Sequence, residues 1–280
     1  MKKYRFLNMA LILLISVCVI ACQKMKKPEL GDYPKDTNPP GGPLKFFAAF
    51  NGVTEDPLMN AVDSIRANFP SANPLKIADG INGKGILGEN AKAIKYATPN
   101  DFTQATSFTV AFWFKRPVNT RTEFFFGLQD DTYGWSKSSL FMMAEHTTTT
   151  EATVKVGVMD QWMEFVNEDK LKKPMFDGNW HHWAMSYNET TSKMTYYFDG
   201  ELITNAPAKA TDVLKSGAPR GKLDLTKSTA LSIGGWGKHI GVAGPTDDWV
   251  SSYTGQLDQF RMYATVLTAA EVKELFVDKK

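Results

Sequence analysis

The chain has 280 residues, with 32 Lys or Arg against 30 Asp or Glu and a formal net charge of +2. This near balance gives no support to nucleic-acid binding, which usually shows as a strong excess of basic residues. The length is sufficient for one domain with its own core, and only two cysteines are present, one of them in the leader, so no disulfide framework is expected.

The N-terminus has the layout of a secretory signal that ends in a lipidation site. A basic head precedes an apolar run over residues 7–21 that is too short for a comfortable membrane span. Residues 19–22, VIAC, resemble the lipobox of bacterial lipoproteins, whose cysteine is lipidated. We therefore predict a lipoprotein signal peptide over residues 1–21 and lipid on Cys22. A plain signal peptide, or a membrane anchor with an incidental cysteine, is the alternative.

Residues 22–43 predict a flexible tether, because they contain many prolines and glycines and almost no apolar side chains. Residues 44–280 are then a single folded domain. Gln23 is not the aspartate that retains enterobacterial lipoproteins in the inner membrane, which implies the outer membrane. The following stretch is basic, unlike that of surface-displayed lipoproteins, so both the periplasmic face and the cell surface stay open.

Short strands separated by turns are predicted along the domain. Phe108–Lys115, FTVAFWFK, alternates so that one face of a strand carries aromatic and aliphatic side chains. Lys193–Thr204 predicts a tight hairpin around Asp199-Gly200, and Gly255–Tyr263 alternates again. The pattern favours an all-β fold, an antiparallel sandwich of two sheets.

A short C-terminal helix is predicted to follow the last strand. Thr268 and Glu271 have the spacing of a capping box, and Val272, Leu275 and Phe276 follow at helical spacing. Three long polar loops lie between the predicted strands, where a sandwich usually carries its binding residues: 129–139, 145–153 and 204–229.

Two adjacent histidines, His181 and His182, occur in the predicted strand GNWHHWAMSYN over Gly178–Asn188. Neighbouring side chains in a strand point to opposite faces, so the pair cannot bind one metal ion. No HEXXH motif or cysteine–histidine cluster with metal-binding spacing is present. We interpret the pair as structural.

Six segments in order along residues 47–277 resemble LamG-like, concanavalin A-like jelly-roll domains. They are FNGVTEDPLMN (50–60) for F-D-G-N-x-x-D-x-S-G-N, GNWHHWA (178–184) for G-x-W-x-H-V-A, YYFDG (196–200) for Y-x-D-G, LSIGG (231–235) for L-x-I-G-G, GQLDQFRMY (255–263) for G-x-I-D-x-V-R-I-Y, and LTAAE (267–271) for L-S-x-x-E. The resemblance implies two antiparallel sheets in a jelly roll.

Calcium is a cofactor that the resemblance raises, because some family members hold the ion near the first loop and the aspartate of the G-x-I-D strand. The matching oxygen ligands here are Asn51, Asp56 and Asp258. Asn51 replaces a carboxylate of the family pattern, which weakens this interpretation. Asp258 bonding only the backbone is the alternative.

Carbohydrate is the partner favoured by the loops, because tryptophan and tyrosine stack on the apolar faces of sugars while polar groups bind the hydroxyls. Trp113, Trp180 and Trp183 lie in predicted strands and are interpreted as core. The predicted glycan-binding residues lie in loops or near them, and each has packing beneath its own loop as an alternative role: Tyr133, Trp135, Trp162, Trp236, His239 and Trp249.

The same fold houses glucanases, which carry their catalytic carboxylates on one strand as E-x-D-x-E or E-x-D-x-x-E. Neither motif occurs, and the nearest stretch, Glu164 to Glu168, has no acidic residue between its two glutamates. The prediction is thus a non-catalytic carbohydrate-binding lipoprotein. A protein-interaction module with partners in the cell envelope is the second hypothesis, and a glycoside hydrolase the third.

Overall fold

Two β-sheets packed face to face form the fold in the computed structural model, which describes residues 41–50 and 74–279. The predicted signal peptide, Cys22 and nearly all of the predicted tether lie outside these residues, as do Asn51 and Asp56. The division of the chain into signal, tether and domain therefore stays a prediction.

The described residues form short strands with few helices. The strands are β1 (Leu44–Ala48), β2 (Lys76–Asp79), β3 (Lys84–Leu87), β4 (Ile94–Tyr96), β5 (Phe108–Pro117), β6 (Thr122–Gln129), β7 (Ser138–Glu145), β8 (Thr153–Val158), β9 (Gln161–Phe165), β10 (Asp177–Asn188), β11 (Lys193–Phe198), β12 (Glu201–Leu202), β13 (Leu214–Lys215), β14 (Ala218–Pro219), β15 (Ala230–Ile233), β16 (Val250–Ser252) and β17 (Gln256–Tyr263). The helices are α1 (Ala208–Thr211) and α2 (Ala269–Asp278), with 3₁₀ turns at Asn100–Gln104, Asn167–Asp169 and Gly237–Ile240.

The strands assemble into an eight-stranded and a seven-stranded sheet. The first has the order β12-β11-β10-β5-β17-β3-β2, with β1 also paired to β17. The second has the order β4-β15-β6-β7-β8-β9, with β16 paired to β6. The pairing is antiparallel except between β16 and β6, which is parallel. The predicted all-β, two-sheet jelly-roll sandwich with a short C-terminal helix is confirmed.

The core between the sheets follows from strand alternation. Phe108, Val110, Phe112 and Phe114 of β5 are all fully buried in the main core, as their shared face predicted. Phe112 stacks on Phe260 of β17, with ring centroids 5.6 Å apart. Side chains on the opposite face of the same strands form a separate small cluster.

Helix α2 covers that opposite face of the eight-stranded sheet. The predicted capping box is present: the Thr268 hydroxyl accepts from the Glu271 N–H, and the Glu271 carboxylate accepts from the Thr268 N–H. Val272 is fully buried, and Phe276 stacks on Trp113 with ring centroids 5.4 Å apart. No helix in residues 41–50 and 74–279 has both the length and the apolar character to cross a bilayer.

The hairpin and the last strand form where they were predicted. Asp199 and Gly200 both have positive φ, 52° and 74°, and connect β11 to β12. Strand β17 departs from simple alternation through a bulge between Asp258 and Arg261. The loop at 204–229 is more structured than predicted, because it contains α1 and the β13–β14 ribbon.

The paired histidines point to opposite faces of β10, as predicted. His181 lies between two carboxylates, with Nδ1 2.9 Å from Asp199 Oδ2 and Nε2 3.0 Å from Asp177 Oδ1. His182 is fully buried against Trp113, and neither of its ring nitrogens has a hydrogen-bond partner among the described residues. Burial lowers the pKa of His182 to about 3, so this ring is neutral at physiological pH.

His181 is expected to make folding stability depend on pH. Burial alone would lower its pKa, but the hydrogen bonds with Asp199 and Asp177 outweigh burial, and the pKa is raised. The folded state therefore binds this proton more tightly than the unfolded state. The resulting stabilisation is fully present below the unfolded-state pKa and is lost as the pH rises through the folded-state pKa.

Thermal unfolding of the wild type, His181→Gln and His146→Gln between about pH 5 and pH 8 tests this expectation. His146 is exposed and serves as the matched control. From pH 5 to pH 8 the melting temperature of His181→Gln should fall less, or rise more, than that of the wild type, and His146→Gln should follow the wild type. Equal slopes in all three proteins would show that the two carboxylates contribute nothing through His181.

Candidate functional site

Three tryptophans lie side by side on the outer face of the seven-stranded sheet, and we call Trp162, Trp135 and Trp249 the tryptophan row. Trp135 lies in the middle, with its ring centroid 5.3 Å from that of Trp249 at an interplanar angle of 15° and 5.6 Å from that of Trp162 at 31°. Trp135 is 40% exposed and Trp249 46% exposed. Exposed aromatic surface of this extent is typical of a contact site.

Trp236 supports the row from beneath. Its ring meets that of Trp135 edge-on, with centroids 5.1 Å apart at 85°, and stacks on Phe141 at 4.7 Å. Its indole Nε1–H donates to the Ser136 carbonyl at 2.8 Å and to Ser138 Oγ at 2.9 Å. Because its indole N–H is hydrogen-bonded and its ring is fully buried, Trp236 is held in one position and supports the Trp135 ring above it.

Two glycines in the sheet make room for these buried rings. Gly127 pairs with Phe141 across β6 and β7, Phe141 with Gly157 across β7 and β8, and Gly157 with Trp162 across β8 and β9. A Cβ atom at Gly157 would overlap the Phe141 ring, whereas one at Gly127 would be tight against Ser232 Oγ at 3.2 Å and in ordinary contact with Trp236 Cδ1 at 3.7 Å. Alternating glycine and aromatic residues across the strands thus form a trough that holds the rings.

The loop before β16 holds the outer end of the row. Trp135 Nε1–H donates to Asp247 Oδ2 at 2.9 Å, and Lys238 Nζ donates to the Asp247 carbonyl at 2.7 Å. These bonds fix the 3₁₀ turn at Gly237–Ile240 and residue 247 relative to Trp135. Trp249 follows two residues later and is thereby positioned against the Trp135 ring.

A groove of about 470 Å³ opens beside the row. Tyr133, Trp135 and Trp162 supply aromatic surface, and Thr132, Asp160 and Gln161 supply polar groups. The Gln161 side chain is committed to structure, since its amide donates to the Asp212 carbonyl and accepts from the Leu214 N–H. The combination of apolar ring surface with a few polar groups is that of a small-molecule or saccharide groove.

Four of the six residues predicted to bind glycan therefore converge on one surface: Tyr133, Trp135, Trp162 and Trp249. Trp236 lies beneath this surface with its side chain fully buried, which agrees with the alternative role of packing under its loop. His239 lies in a neighbouring depression with Asp248 and Arg121. Its Nδ1 accepts from the Trp236 N–H at 3.0 Å, and burial lowers its pKa to about 4, which keeps the ring neutral.

A second cleft, which sequence reasoning missed, opens beyond Tyr133. It has a volume of about 260 Å³ and shares Thr132, Tyr133, Met159 and Asp160 with the first groove. Basic side chains dominate its wall: Lys215, Arg220, Lys222 and Lys227. The sequence signal was that several basic residues recur in the polar stretch 204–229. Nothing in that stretch indicated that these residues would lie beside Tyr133.

The family is decided by a sequence match. A laminin G family model, described as the concanavalin A-like lectin/glucanases superfamily, matches residues 88–273, well over half of the chain. The chain belongs to this superfamily. None of the curated proteins compared with the chain matches it.

Solved structures similar to this superfamily member include carbohydrate-binding domains. Domain 4 of an extracellular GH43 arabinanase from Geobacillus stearothermophilus, in complex with arabinotriose, has a TM-score of 0.53 and 18% identity, covering 83% of this chain and 97% of that domain. Botulinum neurotoxin type C, which enters cells through interaction with two ganglioside molecules, gives 0.54 and 11%, covering 85% and 51%. The binding domain of Paraclostridial Mosquitocidal Protein 1 gives 0.54 and 15%, covering 83% and 51%.

The chain spans about half the length of the two toxin chains. At these identities the likeness to solved structures establishes the fold alone. It agrees with the family match and with the two-sheet topology, and the resemblance predicted from the six motifs is confirmed.

Asp258, the described member of the predicted calcium site, uses its carboxylate for the backbone. Oδ2 accepts from the Ile81 N–H at 2.9 Å, and Oδ1 accepts from the Gln259 N–H at 2.7 Å. Burial raises the pKa of Asp258 to about 7. No group of three histidine, cysteine or acidic residues suited to a metal occurs in the part of the chain that the structure describes. The Asp258 carboxylate thus fixes the β2–β3 turn, and calcium binding, two of whose three predicted ligands lie outside the described residues, stays a prediction.

The superfamily also contains hydrolases, so the acidic stretch near β9 bears on catalysis. Strand β9 ends at Phe165, and Glu168 lies in the 3₁₀ turn that follows. The spacing of Glu164 and Glu168 would place both on one face of a continuous strand, but the strand ends between them, so they do not share a strand face. The Glu164 carboxylate lies 4.0 Å from Lys155 Nζ. This pair does not reproduce the single-strand arrangement of the glucanases.

Gly157→Ala is expected to destabilise the fold by about 1–3 kcal/mol, because the added methyl group must displace the Phe141 ring or move a strand. Gly134→Ala is the matched control, since nothing lies within 4 Å of a Cβ atom there. Urea unfolding at equilibrium measures both. An unfolding free energy of Gly157→Ala equal to that of Gly134→Ala would show that the trough tolerates a larger residue.

Proposed function

We propose that the protein binds carbohydrate without cleaving it, with sugar rings lying on the tryptophan row and in the adjoining groove. The observation that carries the proposal is the row itself: Trp135 and Trp249 are large apolar side chains with 40% and 46% exposure, held in a fixed arrangement by neighbouring residues. Pyranose and furanose rings present C–H faces that match such surfaces.

The polar lining of the groove supports the same function. Asp160 has a side chain that is 62% exposed, and Thr132 lies beside it on the groove wall. Carboxylate and hydroxyl groups at the rim of an aromatic surface provide hydrogen bonds for sugar hydroxyls and define the orientation of the bound ring. A purely hydrophobic protein interface does not need them.

The structural neighbours add general support. The arabinanase domain, 97% of which is covered by the match, was solved with arabinotriose. The type C neurotoxin interacts with gangliosides, but the match covers only 51% of that chain, so its support is less direct. Their low identity means that the sugar and the binding residues do not carry over. The proposal for this chain therefore rests on its own row and groove.

Absence of catalysis is part of the proposal. The sequence lacks the paired-carboxylate motifs of the glucanases, and Glu164 and Glu168 lie on different elements. Asp160, at the groove, is already ion-paired with Arg220. A retaining glycosidase needs two carboxylates roughly 5 Å apart across the scissile bond, and a binding role needs only the surface described.

Glycan-array binding by the detergent-solubilised full chain tests the proposal. Trp135→Ala should weaken binding by about tenfold or more, as for an aromatic residue at the centre of a contact site. Trp180→Ala is the control, because Trp180 is half-buried in β10 of the other sheet. Each protein is probed with calcium and with a chelator, so that dependence on the ion would return Asp258, Asp56 and Asn51 to consideration.

Three outcomes of the array are informative. Binding that Trp135→Ala weakens and Trp180→Ala preserves supports the proposal. Binding that both substitutions leave intact places the sugar elsewhere on the domain. No binding to any glycan, with or without calcium, contradicts the proposal and favours the protein-interaction module. Release of reducing ends from a bound glycan would instead identify a hydrolase.

We also propose that the domain is attached by lipid at Cys22 to the outer membrane, on its periplasmic face or at the cell surface. The lipobox-like residues 19–22 and Gln23 support this placement. Metabolic labelling with a fatty-acid probe in a Gram-negative host should label the wild type and Cys18→Ser, but not Cys22→Ser. Label retained in Cys22→Ser would contradict lipid attachment at this residue.

A further inference from the structure

The cleft beyond Tyr133 concentrates positive charge in a protein that is nearly neutral overall. Its lining includes four basic side chains and two acidic ones, Asp160 and Asp224. The Asp224 carboxylate accepts from both the backbone and the side chain of Thr226, with N–H to Oδ1 at 3.1 Å. Asp160 pairs with Arg220, and Asp224 keeps its negative charge while bonded to Thr226, so the three lysines outnumber the remaining acid. With four basic side chains against two acidic ones, the cleft has a formal charge of +2.

Arg220 is built into the floor of this cleft. Its side chain is only 7% exposed, it forms an ion pair with Asp160, and its Nη2 donates to the Leu214 carbonyl at 2.9 Å. Its Nε–H has no acceptor among the described residues. The guanidinium is thus held by two acceptors, and its charge is only partly offset by the exposed carboxylate of Asp160.

The lysines around Arg220 lack a direct ion-pair partner among the described residues. Lys215, Lys222 and Lys227 are exposed, and within residues 41–50 and 74–279 none forms an ion pair with a carboxylate. Other lysines of the domain do so, as Lys193 does with Asp212 at 2.6 Å. Lys227 acts on the nearby Asp224 carboxylate through its charge and contributes to lowering the pKa of that group. Lys215 and Lys222 supply charge and hydrogen-bond donors without an ion-pair partner among the described residues.

The backbone that carries these cations is fixed. The Arg220 N–H donates to the Val213 carbonyl at 3.0 Å, and the Gly221 N–H donates to Ser192 Oγ at 2.8 Å. Gln161 ties Leu214 to the β8–β9 turn. The basic segment is therefore held against the β8–β9 turn, next to the start of strand β9, which carries Trp162. The cleft is thus formed before any ligand binds.

The cleft and the groove of the tryptophan row are continuous through Tyr133 and Asp160. A chain of sugars lying on the row and extending past Tyr133 places its next unit among the lysines. A neutral sugar there would leave the ammonium groups without partners, whereas a carboxylate or sulfate would pair with them.

From this juxtaposition we infer that the glycan bound by this protein is anionic, carrying a uronate carboxylate or a sulfate ester on a unit next to the ring that stacks on the row. The inference rests on the proposed function, since it assigns a ligand class to the same site. Lys215, Lys222 and Lys227 supply the charge that selects the ligand, and Arg220 supplies a fixed guanidinium at the base of the cleft.

Binding of matched charged and neutral oligosaccharides to the full chain tests the inference. One pair is an oligogalacturonate and its methyl ester, which differ in carboxylate charge, and the other is dextran sulfate and dextran. The wild type should prefer the charged member of at least one pair by about tenfold or more, and rising salt should reduce the preference. The pair that shows it distinguishes uronate from sulfate.

Two triple variants with equal loss of charge are compared. Lys215→Gln/Lys222→Gln/Lys227→Gln should lose most of the preference. Lys76→Gln/Lys95→Gln/Lys172→Gln removes three exposed lysines that line neither the groove nor the cleft and should keep it. Exposed Lys→Gln changes of this kind leave the core intact, so both variants are expected to fold.

The outcomes separate this inference from the proposed function. Neutral and charged oligosaccharides bound equally well would overturn the anionic ligand while leaving carbohydrate binding in place. A preference that both triple variants keep would overturn the assignment of that ligand to the cleft. Equal competition by polyglutamate would also overturn it, because that polymer has charge but no sugar. Binding of no saccharide at all would remove the proposed function and this inference together.

Discussion

The close packing of aromatic rings over glycines in the seven-stranded sheet is the constraint on which the candidate site depends. Gly127 and Gly157 flank Phe141 in the cross-strand register, and the missing side chains leave a trough in which Phe141 and Trp236 lie. Register fixes this arrangement, because a slip of one residue along β7 would turn Phe141 to the opposite face. Trp135 then lies on Trp236, and Trp162 and Trp249 lie against Trp135.

The trough also explains how exposed tryptophans are held in place. An exposed aromatic side chain on a loop normally samples several rotamers, and ordering it on binding costs free energy. Here Trp135 donates a hydrogen bond to Asp247 and packs on the buried ring of Trp236, so its conformation is set before any ligand arrives. Such pre-organisation lowers the conformational-entropy cost that a ligand would otherwise meet on binding to this surface.

Local patterns made much of the fold predictable. The alternation in Phe108–Lys115, the Asp199-Gly200 turn and the Thr268–Glu271 capping box each depend on residues a few positions apart, and the structure contains all three. The structure also brings three of the loop tryptophans, Trp135, Trp162 and Trp249, together on one surface. The burial of Trp236 was not predictable in this way, because it depends on which residues of β6, β7 and β8 lie opposite one another.

The basic cleft was missed for the same physical reason. Arg220 and Asp160 are 60 positions apart, and their ion pair forms only because the β13–β14 segment folds onto the β8–β9 turn. Contacts of this range depend on topology, which a run of loop residues does not reveal. The predicted calcium ligands are separated further, and of them only Asp258 lies in the described residues, where it accepts backbone hydrogen bonds.

The two outer faces of the sandwich differ in which elements cover them. On the eight-stranded sheet, α2 places Val272 and Phe276 over Ala184 and Trp113, which removes that face from solvent. On the seven-stranded sheet the corresponding cover is a set of loops, and these leave Trp135 and Trp249 partly in water. A helix offers a continuous apolar stripe that seals a sheet, whereas loops leave grooves between them. Among the described residues, the grooves beside Trp135 and Tyr133 therefore lie where loops and not α2 cover the sandwich.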